Sequence, residues 1–269
     1  MDYLNRSAAG FGDDIWQRID EAAVHAARDV LTGRRFIPVD GPYGLGLTAV
    51  EAGEDGYCRE PGHDEAGAVT SRAIAVPMLR RSFQLSIRRI ESFRRQGQPL
   101  SLTVVAHAAE AVARREEEFI YYGQKDFQLP GLMTVDGKAV HRVGDWSNTE
   151  QALNDVLAAV TALDRNGYRG PYALALAAPL YNGLFHRYEG TELTQLEHLR
   201  RLCELGVYKA PISGGVLVDA RVGRLIIGQD LMAGYARQDG IHHDLYLSES
   251  IVLLIEQPGA VCLLESVQH

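Results

Sequence analysis

The segment LIIGQDLMAGY at residues 225–235, followed by LYLSESIVLLIEQPGAV at residues 245–261, decides the class of fold. Both segments are rich in Ile, Leu and Val, which pack well on a pleated surface, and turn-forming residues bound them. The predicted strands cover 225–227, 231–236, 245–256 and 261–264. The C-terminal part of the chain is therefore expected to be mainly β-sheet.

Residues 131–227 have the pattern of an α/β unit, in which helical periodicity alternates with short apolar runs. The predicted helices cover 153–163, 180–187 and 193–205, and the predicted strands cover 172–177, 216–218 and 225–227. This unit is long enough to bury a core of its own.

Two long helices are predicted in the N-terminal half. The first follows Asp13 and Asp14, interpreted as N-cap residues, and stops at Gly33. The second covers 99–120 and carries an apolar stripe. Its acidic run 116–118 is interpreted as a solvated face. Together with the sheet segments, these helices predict an α+β fold.

The segment between the two helices is poor in core-forming residues. Residues 45–75 contain many Gly, acidic and small residues, and few apolar ones. Such a stretch cannot build a core, so it is either a flexible insertion or an arm that packs on something else. Partial alternation then predicts a strand over 78–90.

Composition excludes several classes of protein. The chain has 269 residues, of which 46% are hydrophobic, and 27 basic against 35 acidic residues give a net charge of −8. At about 150 residues per domain this is slightly under two domains. The acidic balance argues against non-specific binding to nucleic acid or to anionic membranes. Cys58, Cys203 and Cys262 are odd in number and widely spaced, which predicts reduced thiols.

The sequence predicts a cytoplasmic protein. The N-terminal residues have acids where a secretory signal needs positive charge, and no apolar h-region follows. The longest near-apolar stretch, at 172–181, is far short of the roughly 20 residues of a membrane helix.

No catalytic motif stands out. The chain contains no HExxH, GxSxG or P-loop pattern, and the glycines at 41, 44 and 46 are interpreted as a tight turn. His242, His243 and Asp244 are interpreted as a polar turn rather than a metal site, and Glu189 with Glu192 as a solvated loop. Residues 80–95 contain six arginines and one acid; a subunit interface is favoured over a nucleic-acid site.

Several segments resemble family 1 encapsulins, once called linocin-type bacteriocins. The opening MDYLNRS, Trp16 with Ile19 and Asp20, and GRRFIPVDGPYG at 33–44 carry the resemblance. Gly170-Pro171-Tyr172 and the two C-terminal segments quoted above match in the same order. The resemblance spans essentially the whole chain.

This resemblance implies the Hong Kong 97-type fold of phage major capsid proteins, with a peripheral (P) domain, an axial (A) domain and an extended E-loop. It places the N-terminal helix and arm of the P domain at 1–44, the E-loop at 45–90, the spine helix of the P domain at 91–130, the A domain at 131–227 and the C-terminal strands of the P domain at 228–269. The core-poor segment is thus expected to be an arm that lies on neighbouring subunits.

The function implied by the resemblance is self-assembly, without catalysis, through pentamers into a closed icosahedral shell of about sixty copies or more. The shell would enclose a peroxidase or a ferritin-like enzyme, which links it to oxidative stress or iron storage. A C-terminal peptide of the cargo would dock in a groove inside the shell, as an extended chain with apolar anchors. The matching positions are Ile19, Ala23, Leu31, Arg34, Val39, Asp230, Leu231 and Tyr235.

The resemblance also implies a pore. The loop of Tyr188, Glu189, Gly190, Thr191 and Glu192 matches the segment that lines the five-fold pore, where a ring of glutamates would concentrate cations.

Some relatives bind flavin against a Trp, but the matching position here is Arg88 and Trp146 lies elsewhere, so no flavin is predicted. No metal site is predicted either. Pro38 also departs from relatives that carry an acid near the groove, so cargo preference is expected to differ.

Two other functions stay open at this point. A phage-type major capsid protein that packages DNA would share the fold, and a secreted bacteriocin or protease is suggested by older descriptions of the family. The acidic balance argues against the first, and the missing signal peptide and nucleophile argue against the second. We therefore expect no nucleic-acid or membrane partner.

Overall fold

Helices and sheets alternate along the chain in a computed structural model that describes residues 3–53, 56–57, 66–148, 150–188 and 192–266. The helices are α1 Asp13–Val30, α2 Ile87–Gln96, α3 Thr103–Tyr122, α4 Gln151–Arg165, α5 Ala178–Gly183 and α6 Gln195–Leu202. The strands are β1 Val39–Asp40, β2 Ala49–Glu51, β3 Gly56–Tyr57, β4 Val69–Thr70, β5 Ala73–Ala75, β6 Met78–Ser86, β7 Gly123–Gln124, β8 Leu129–Pro130, β9 Ala139–Val143, β10 Tyr172–Leu176, β11 Gly206–Lys209, β12 Gly215–Asp219, β13 Gly223–Ile227, β14 Met232–Asp239, β15 His242–Ile255 and β16 Val261–Ser266.

The first sheet is built around the long strand β15, which pairs antiparallel with β6, β13 and β14. Strand β1 extends this sheet by parallel pairing with β13. Most of β15 is buried, and helix α3 packs against it. The strand begins three residues earlier than predicted. His242 and His243 therefore lie in the sheet and not in a polar turn, and the side chain of His243 packs edge-on against Phe11.

Helices α1 and α3 pack against each other and close the core of the first sheet. Apolar residues at helical spacing on α1, including Ile15 and Ile19, meet a matching stripe on α3 that includes Val105 and Ala109. Helix α1 differs from the prediction at both ends: Gly12 is the N-cap, with Asp13 and Asp14 in the first turn, and the helix stops at Val30.

No helix of the described chain is both long and apolar enough to cross a membrane.

The second sheet has the strand order β11-β10-β12-β16-β9, and it buries a separate core against α4 and α6. Strand β16 pairs with β12 and β9, so residues 261–266 belong here and not with the strands of the first sheet. Conversely, β13 lies in the first sheet although it falls within the predicted 131–227 unit. The chain crosses between the two sheets twice after β12.

Residues of the arm form short hairpins, with β2 paired to β5 and β3 paired to β4. The predicted strand over 78–90 is wrong in its last four residues, since β6 ends at Ser86 and α2 begins. Ile87, Ile90 and Phe93 continue at helical spacing, which is the physical reason for the switch. A positive-φ Gly97 ends this helix.

Candidate functional site

A groove of about 560 Å³ lies along the C-terminal half of α1. Helix α3 and the turn after α1 form its other walls, together with β1, β15 and the segment before β14. The lining residues are Val24, Ala27, Arg28, Leu31, Arg34, Arg35, Val39, Ala113, Glu116, Asp230, Leu231 and Glu249. The groove therefore combines an apolar strip with a cluster of charges.

The apolar strip is a small cluster apart from the main core. Ala27 and Leu31 from α1 and its C-cap contact Ala113 of α3, and Leu231 packs against them while remaining partly exposed. Val39 is 49% exposed at the open end of the groove. Side chains that are apolar and accessible in one strip suit the anchor residues of an extended peptide.

The charged cluster centres on Arg34. Its Nε and Nη2 donate to the two carboxylate oxygens of Glu116 at 2.7 and 2.9 Å, Nη2 also donates to Glu249 at 2.9 Å, and Nη1 donates to Asp230 at 2.9 Å. The Glu116 and Glu249 side chains are almost fully buried, whereas Asp230 is exposed. Burial alone would lower the pKa of Arg34, but its bonds to Glu116 and the charges of Glu116 and Glu249 raise that pKa above its ordinary value.

Within this cluster, Glu249 is the carboxyl whose ionised form is least favourable. Burial raises the pKa of its carboxyl well above the ordinary value, and the nearby charge of Glu116 adds to the increase despite Arg34. One guanidinium cannot neutralise two buried carboxylates, so Glu249 is expected to hold a proton over a range of pH in which free glutamate is ionised.

Replacing Glu249 with Gln is expected to reduce the loss of stability as pH rises. A raised folded-state pKa gives stabilisation that is complete below the unfolded pKa, near 4.5, and is lost as pH rises through the folded pKa. Gln keeps the shape of the protonated carboxyl and stays neutral. Thermal unfolding of both proteins between about pH 5 and pH 9 measures the difference. Parallel pH profiles would contradict the assignment of a raised pKa to Glu249.

A third buried acid, Glu117, holds the turn that carries Arg34. Glu117 accepts hydrogen bonds from the backbone N–H groups of Thr32 and Gly33, both at 2.9 Å, and from the Thr32 hydroxyl. Burial raises the pKa of Glu117, and these hydrogen bonds offset part of the increase. The prediction that the run 116–118 is a solvated face is therefore wrong for Glu116 and Glu117, which are both fully buried.

The predicted docking positions divide into two groups. Leu31, Arg34, Val39, Asp230 and Leu231 line the groove together. The other three lie in the main core: Ile19 and Ala23 face α3, and Tyr235 lies beside His243.

Other groove residues were missed by sequence reasoning. Val24, Ala27 and Arg28 share the helical face of Leu31, so their spacing was an available signal. Glu249 is the one acid in the mainly apolar stretch 245–255 of β15, which indicates a buried charge with a partner.

The sequence profile of a family described as "Encapsulating protein for peroxidase" matches residues 1–252 of this chain. The type 1 encapsulin shell protein of Myxococcus xanthus is 31% identical over 277 residues, which cover 98% of this chain and 96% of that protein. The chain belongs to the type 1 encapsulin family. A second encapsulin, the shell protein of Rhodospirillum rubrum, is 27% identical over 278 residues, with coverage of 100% of this chain and 98% of that protein.

Solved structures confirm the fold of this encapsulin. The virus-like particle from Pyrococcus furiosus matches with a TM-score of 0.73 at 19% identity, covering 93% of this chain and 99% of that one. The capsid of the Myoviridae phage XM1 matches with a TM-score of 0.58 at 18% identity, covering 87% and 90%. The predicted Hong Kong 97-type fold is therefore confirmed. As an encapsulin shell protein the chain forms a capsid-like particle, which favours the shell prediction over both alternative functions.

Only part of the predicted pore loop can be placed in this encapsulin. Glu189, Gly190 and Thr191 lie outside the described residues. Glu192 is exposed and accepts a hydrogen bond from Arg187 at 2.9 Å. The arginine offsets much of the charge that Glu192 would bring to a ring of five copies.

The structure also places Arg88 and Trp146, the two residues considered for flavin binding. Arg88 is exposed in the first turn of α2, and Trp146 is buried with its indole N–H donating to Asp155 at 2.8 Å. Within the part of the chain that the structure describes, no group of three or more His, Cys, Asp or Glu residues is arranged to hold a metal ion. The absence of flavin remains a prediction.

Proposed function

We propose that this encapsulin closes into an icosahedral shell, of about sixty copies or more, that encloses an enzyme in the cytoplasm. The shell itself has no catalytic role in this proposal. Its cargo is a peroxidase or a ferritin-like protein that carries a short C-terminal peptide, and the groove along α1 holds that peptide. Pores that include Tyr188 and Glu192 admit small solutes or ions.

The observation that carries the proposal is the composition of the groove. An apolar strip of Leu31, Val39 and Leu231, in which Val39 and Leu231 are accessible, ends at a charged cluster with Asp230 exposed. Apolar anchors supply affinity for an extended peptide, and a fixed charge sets its register. The family description names peroxidase, and a relative from Kuenenia stuttgartiensis, 28% identical over 96% of this chain and 75% of that protein, is a diheme-cytochrome-encapsulin shell fusion protein. Both names support an enzyme as cargo.

Replacing Leu231 with Asp is expected to abolish cargo loading and to leave shells intact. The substitution places a second carboxylate beside Asp230 and removes an apolar contact with Ala27 and Leu31. Because the side chain is partly exposed, the added charge stays hydrated and the fold tolerates it. Co-expression with the cargo enzyme, followed by purification of particles and mass spectrometry, measures the amount of cargo per shell.

Leu231→Met is the matched control, since it keeps an apolar side chain of similar volume and should load cargo normally. Shells of the Asp variant that carry the normal amount of cargo would show that the groove is not the docking site.

A further inference from the structure

The opening segment of the chain packs along one edge of the first sheet. Residues 3–9 (the N-terminal segment) lie beside β14, which is an edge strand among the described residues. The backbone N–H of Tyr235 donates to the carbonyl of Leu4 at 2.8 Å. The hydroxyl of Tyr246 on β15 donates to the carbonyl of Tyr3 at 2.7 Å. The N-terminal segment therefore covers an edge of β14 that would otherwise face solvent.

Arg6 links this edge to helix α1. Its Nε donates to the backbone carbonyl of Ala233 at 2.9 Å, and its Nη2 donates to the Asp20 carboxylate at 2.7 Å. The same carboxylate oxygen accepts the backbone N–H of Ala233 at 3.3 Å, and the guanidinium lies 4.8 Å from the centroid of the Trp16 ring. A guanidinium presents its N–H groups in a rigid planar fork, so this one side chain holds the strand and the helix at a fixed separation.

A left-handed turn at Asn5 places Arg6 for these contacts. Asn5 has a φ of 49° and a ψ of 31°, and the short helical turn Arg6–Ala9 follows it. Most residues avoid this conformation because the side chain crowds the following carbonyl, whereas Gly, Asn and Asp adopt it more readily. The turn lets the carbonyl of Leu4 and the side chain of Arg6 both reach β14.

The Arg6 link lies at one end of the groove along α1. On the helix, Asp20 lies four residues, or about one turn, before Val24, where the lining of the groove begins. On the facing wall, Ala233 follows the lining residue Leu231 by two residues. Arg6 therefore joins the two walls just beyond the lined part of the groove.

Other contacts hold each wall by itself or join the walls elsewhere. Helix α1 packs on α3 through apolar side chains, and Gln229 donates to Ser250 of β15 at 2.7 Å. Arg34 joins the walls at the other end of the groove, where it donates to Asp230 at 2.9 Å. Apolar packing between the walls is non-directional, so it does not fix their separation. The link through Arg6 is directional and fixes the width of the groove near Val24.

We propose that the N-terminal segment is a latch that sets the width of the groove, and that Arg6 is a positioning residue for the peptide that the groove holds. The proposal rests on the proposed function, in which that peptide is the C-terminal tail of a cargo enzyme. A groove held at the width of an extended chain binds it without first reorganising, and such preorganisation increases affinity. If loss of Arg6 leaves the groove at this width about a tenth of the time, the apparent Kd rises about tenfold.

The test measures how loading depends on the supply of cargo. A fluorescent protein carrying the C-terminal tail of the enzyme that co-purifies with wild-type shells is co-expressed at graded levels with the shell protein. For Arg6→Ala, half-maximal loading is expected at about tenfold more cargo, with an unchanged maximum per particle. A purely structural role would lower the yield of particles or the maximum, and it would leave the half-maximal level unchanged.

Two variants of Asn5 test the left-handed turn. Glycine adopts this conformation freely, so Asn5→Gly should load like the wild type. Asn5→Val introduces a β-branched side chain and should shift half-maximal loading as Arg6→Ala does.

The matched control for Arg6→Ala is Arg18→Ala. The guanidinium of Arg18 also lies over an aromatic ring, 5.0 Å from the centroid of Phe93, but neither residue lines the groove. Arg18→Ala should therefore load like the wild type. If Arg6→Ala forms no particles, Arg6→Lys takes its place: one ammonium does not reproduce the fork between Asp20 and Ala233, so a smaller shift of about threefold is expected.

Hydrogen exchange gives a readout that needs no cargo. The backbone N–H groups of Ala233 and Tyr235 donate to Asp20 and to the N-terminal segment. Exchange of the segment 229–235 should therefore be at least about tenfold faster in Arg6→Ala, while exchange of α4 on the second sheet stays the same.

The outcomes separate the latch from the docking site. Normal half-maximal loading by Arg6→Ala, beside empty shells of Leu231→Asp, would overturn the latch and leave the docking site in place. An equal shift in Arg18→Ala, normal loading by Asn5→Val, or unchanged exchange of 229–235 would also overturn the latch. Failure of wild-type shells to load the tagged protein, or full loading by Leu231→Asp, would contradict the proposed function and with it the role of the latch.

Discussion

Replacing Arg34 with Ala is expected to lower the free energy of unfolding by about 3–5 kcal/mol. The substitution removes the guanidinium that donates hydrogen bonds to Glu116 and Glu249, whose side chains are only 1% and 2% exposed. A buried ion pair contributes little net stability when it is formed, because desolvation offsets the attraction, but removal of one partner leaves the other charge buried without compensation. Here Glu116 loses its counter-charge and Glu249 loses a hydrogen-bond donor.

Thermal and urea unfolding of the purified protein measure this loss, and a matched pair of variants locates its cause. In Arg34→Met with Glu116→Gln and Glu249→Gln the cluster is neutral, so most of the lost stability should return. Arg237→Ala removes an exposed arginine that pairs with Asp244, and it should leave unfolding almost unchanged. An unfolding free energy for Arg34→Ala within about 1 kcal/mol of the wild type would show that the buried acids do not depend on Arg34.

The same substitution is expected to impair cargo binding. Arg34 joins the turn after α1 to α3 through Glu116 and to the central strand β15 through Glu249. Without these bonds, the turn keeps its hydrogen bonds to Glu117 and its apolar packing but loses its polar links to Glu116 and Glu249. Leu231→Asp, in contrast, should remove cargo without a loss of stability. Comparing cargo binding by the two variants therefore shows whether binding depends on the shape of the groove or on its apolar surface.

Much of the fold could be predicted from the sequence because its periodicities are strong. The apolar stripes of α1 and α3 and the apolar run of β15 specify helix and strand directly. Sheet membership could not be predicted in the same way. Strands β13 and β16 have similar apolar patterns, yet β13 pairs with β15 and β16 pairs with β12. Pairing between distant segments is decided by tertiary packing, which a local pattern does not contain.

Only some of the residues that line the groove could be predicted from the sequence. Arg34, Val39, Asp230 and Leu231 lie in segments that resemble the family, and the structure brings them together. Glu116 was assigned to solvent because three successive glutamates usually form a polar face.

The helical spacing contained the opposite signal. Glu116 lies four residues after Val112 and four before Ile120, on the buried stripe of α3. A charge on such a stripe requires a buried partner, and Arg34 is that partner.

Replacing Asp155 with Ala is expected to destabilise the second sheet and its helices by about 3 kcal/mol. The Asp155 carboxylate accepts hydrogen bonds from the indole N–H of Trp146, the backbone N–H of Gly144 and the side chain of Gln151, and its Oδ1 lies 2.9 Å from Nε2 of His141. These groups come from β9, the loop after it and the start of α4. A single carboxylate therefore fixes the entry to α4, and its removal leaves the buried Trp146 N–H without an acceptor.

This effect should decrease in acid, which is the opposite of the behaviour expected at Glu249. Burial alone would raise the pKa of Asp155, but the hydrogen bonds from His141, Trp146, Gly144 and Gln151 outweigh burial and lower it below the ordinary 3.8. A lowered folded-state pKa gives stabilisation that is present above the unfolded pKa and is lost as pH falls through the folded pKa. The difference between wild type and Asp155→Ala should thus be constant near neutral pH and shrink below about pH 4.

Fluorescence of Trp146 and thermal unfolding between about pH 3 and pH 7 follow this difference, with Trp16 replaced by Phe in both proteins so that one indole reports. Asp136→Ala, at an exposed aspartate, is the matched control and should follow the wild type at every pH. A gap between wild type and Asp155→Ala that persists unchanged to pH 3 would mean that packing around the side chain, and not its charge, stabilises this part of the subunit. A gap that closes in acid assigns the stabilisation to the ionised carboxylate. Together with a loss of stability at high pH from Glu249, that result would place the greatest stability of the subunit between the two transitions, because the two buried acids oppose each other in their dependence on pH.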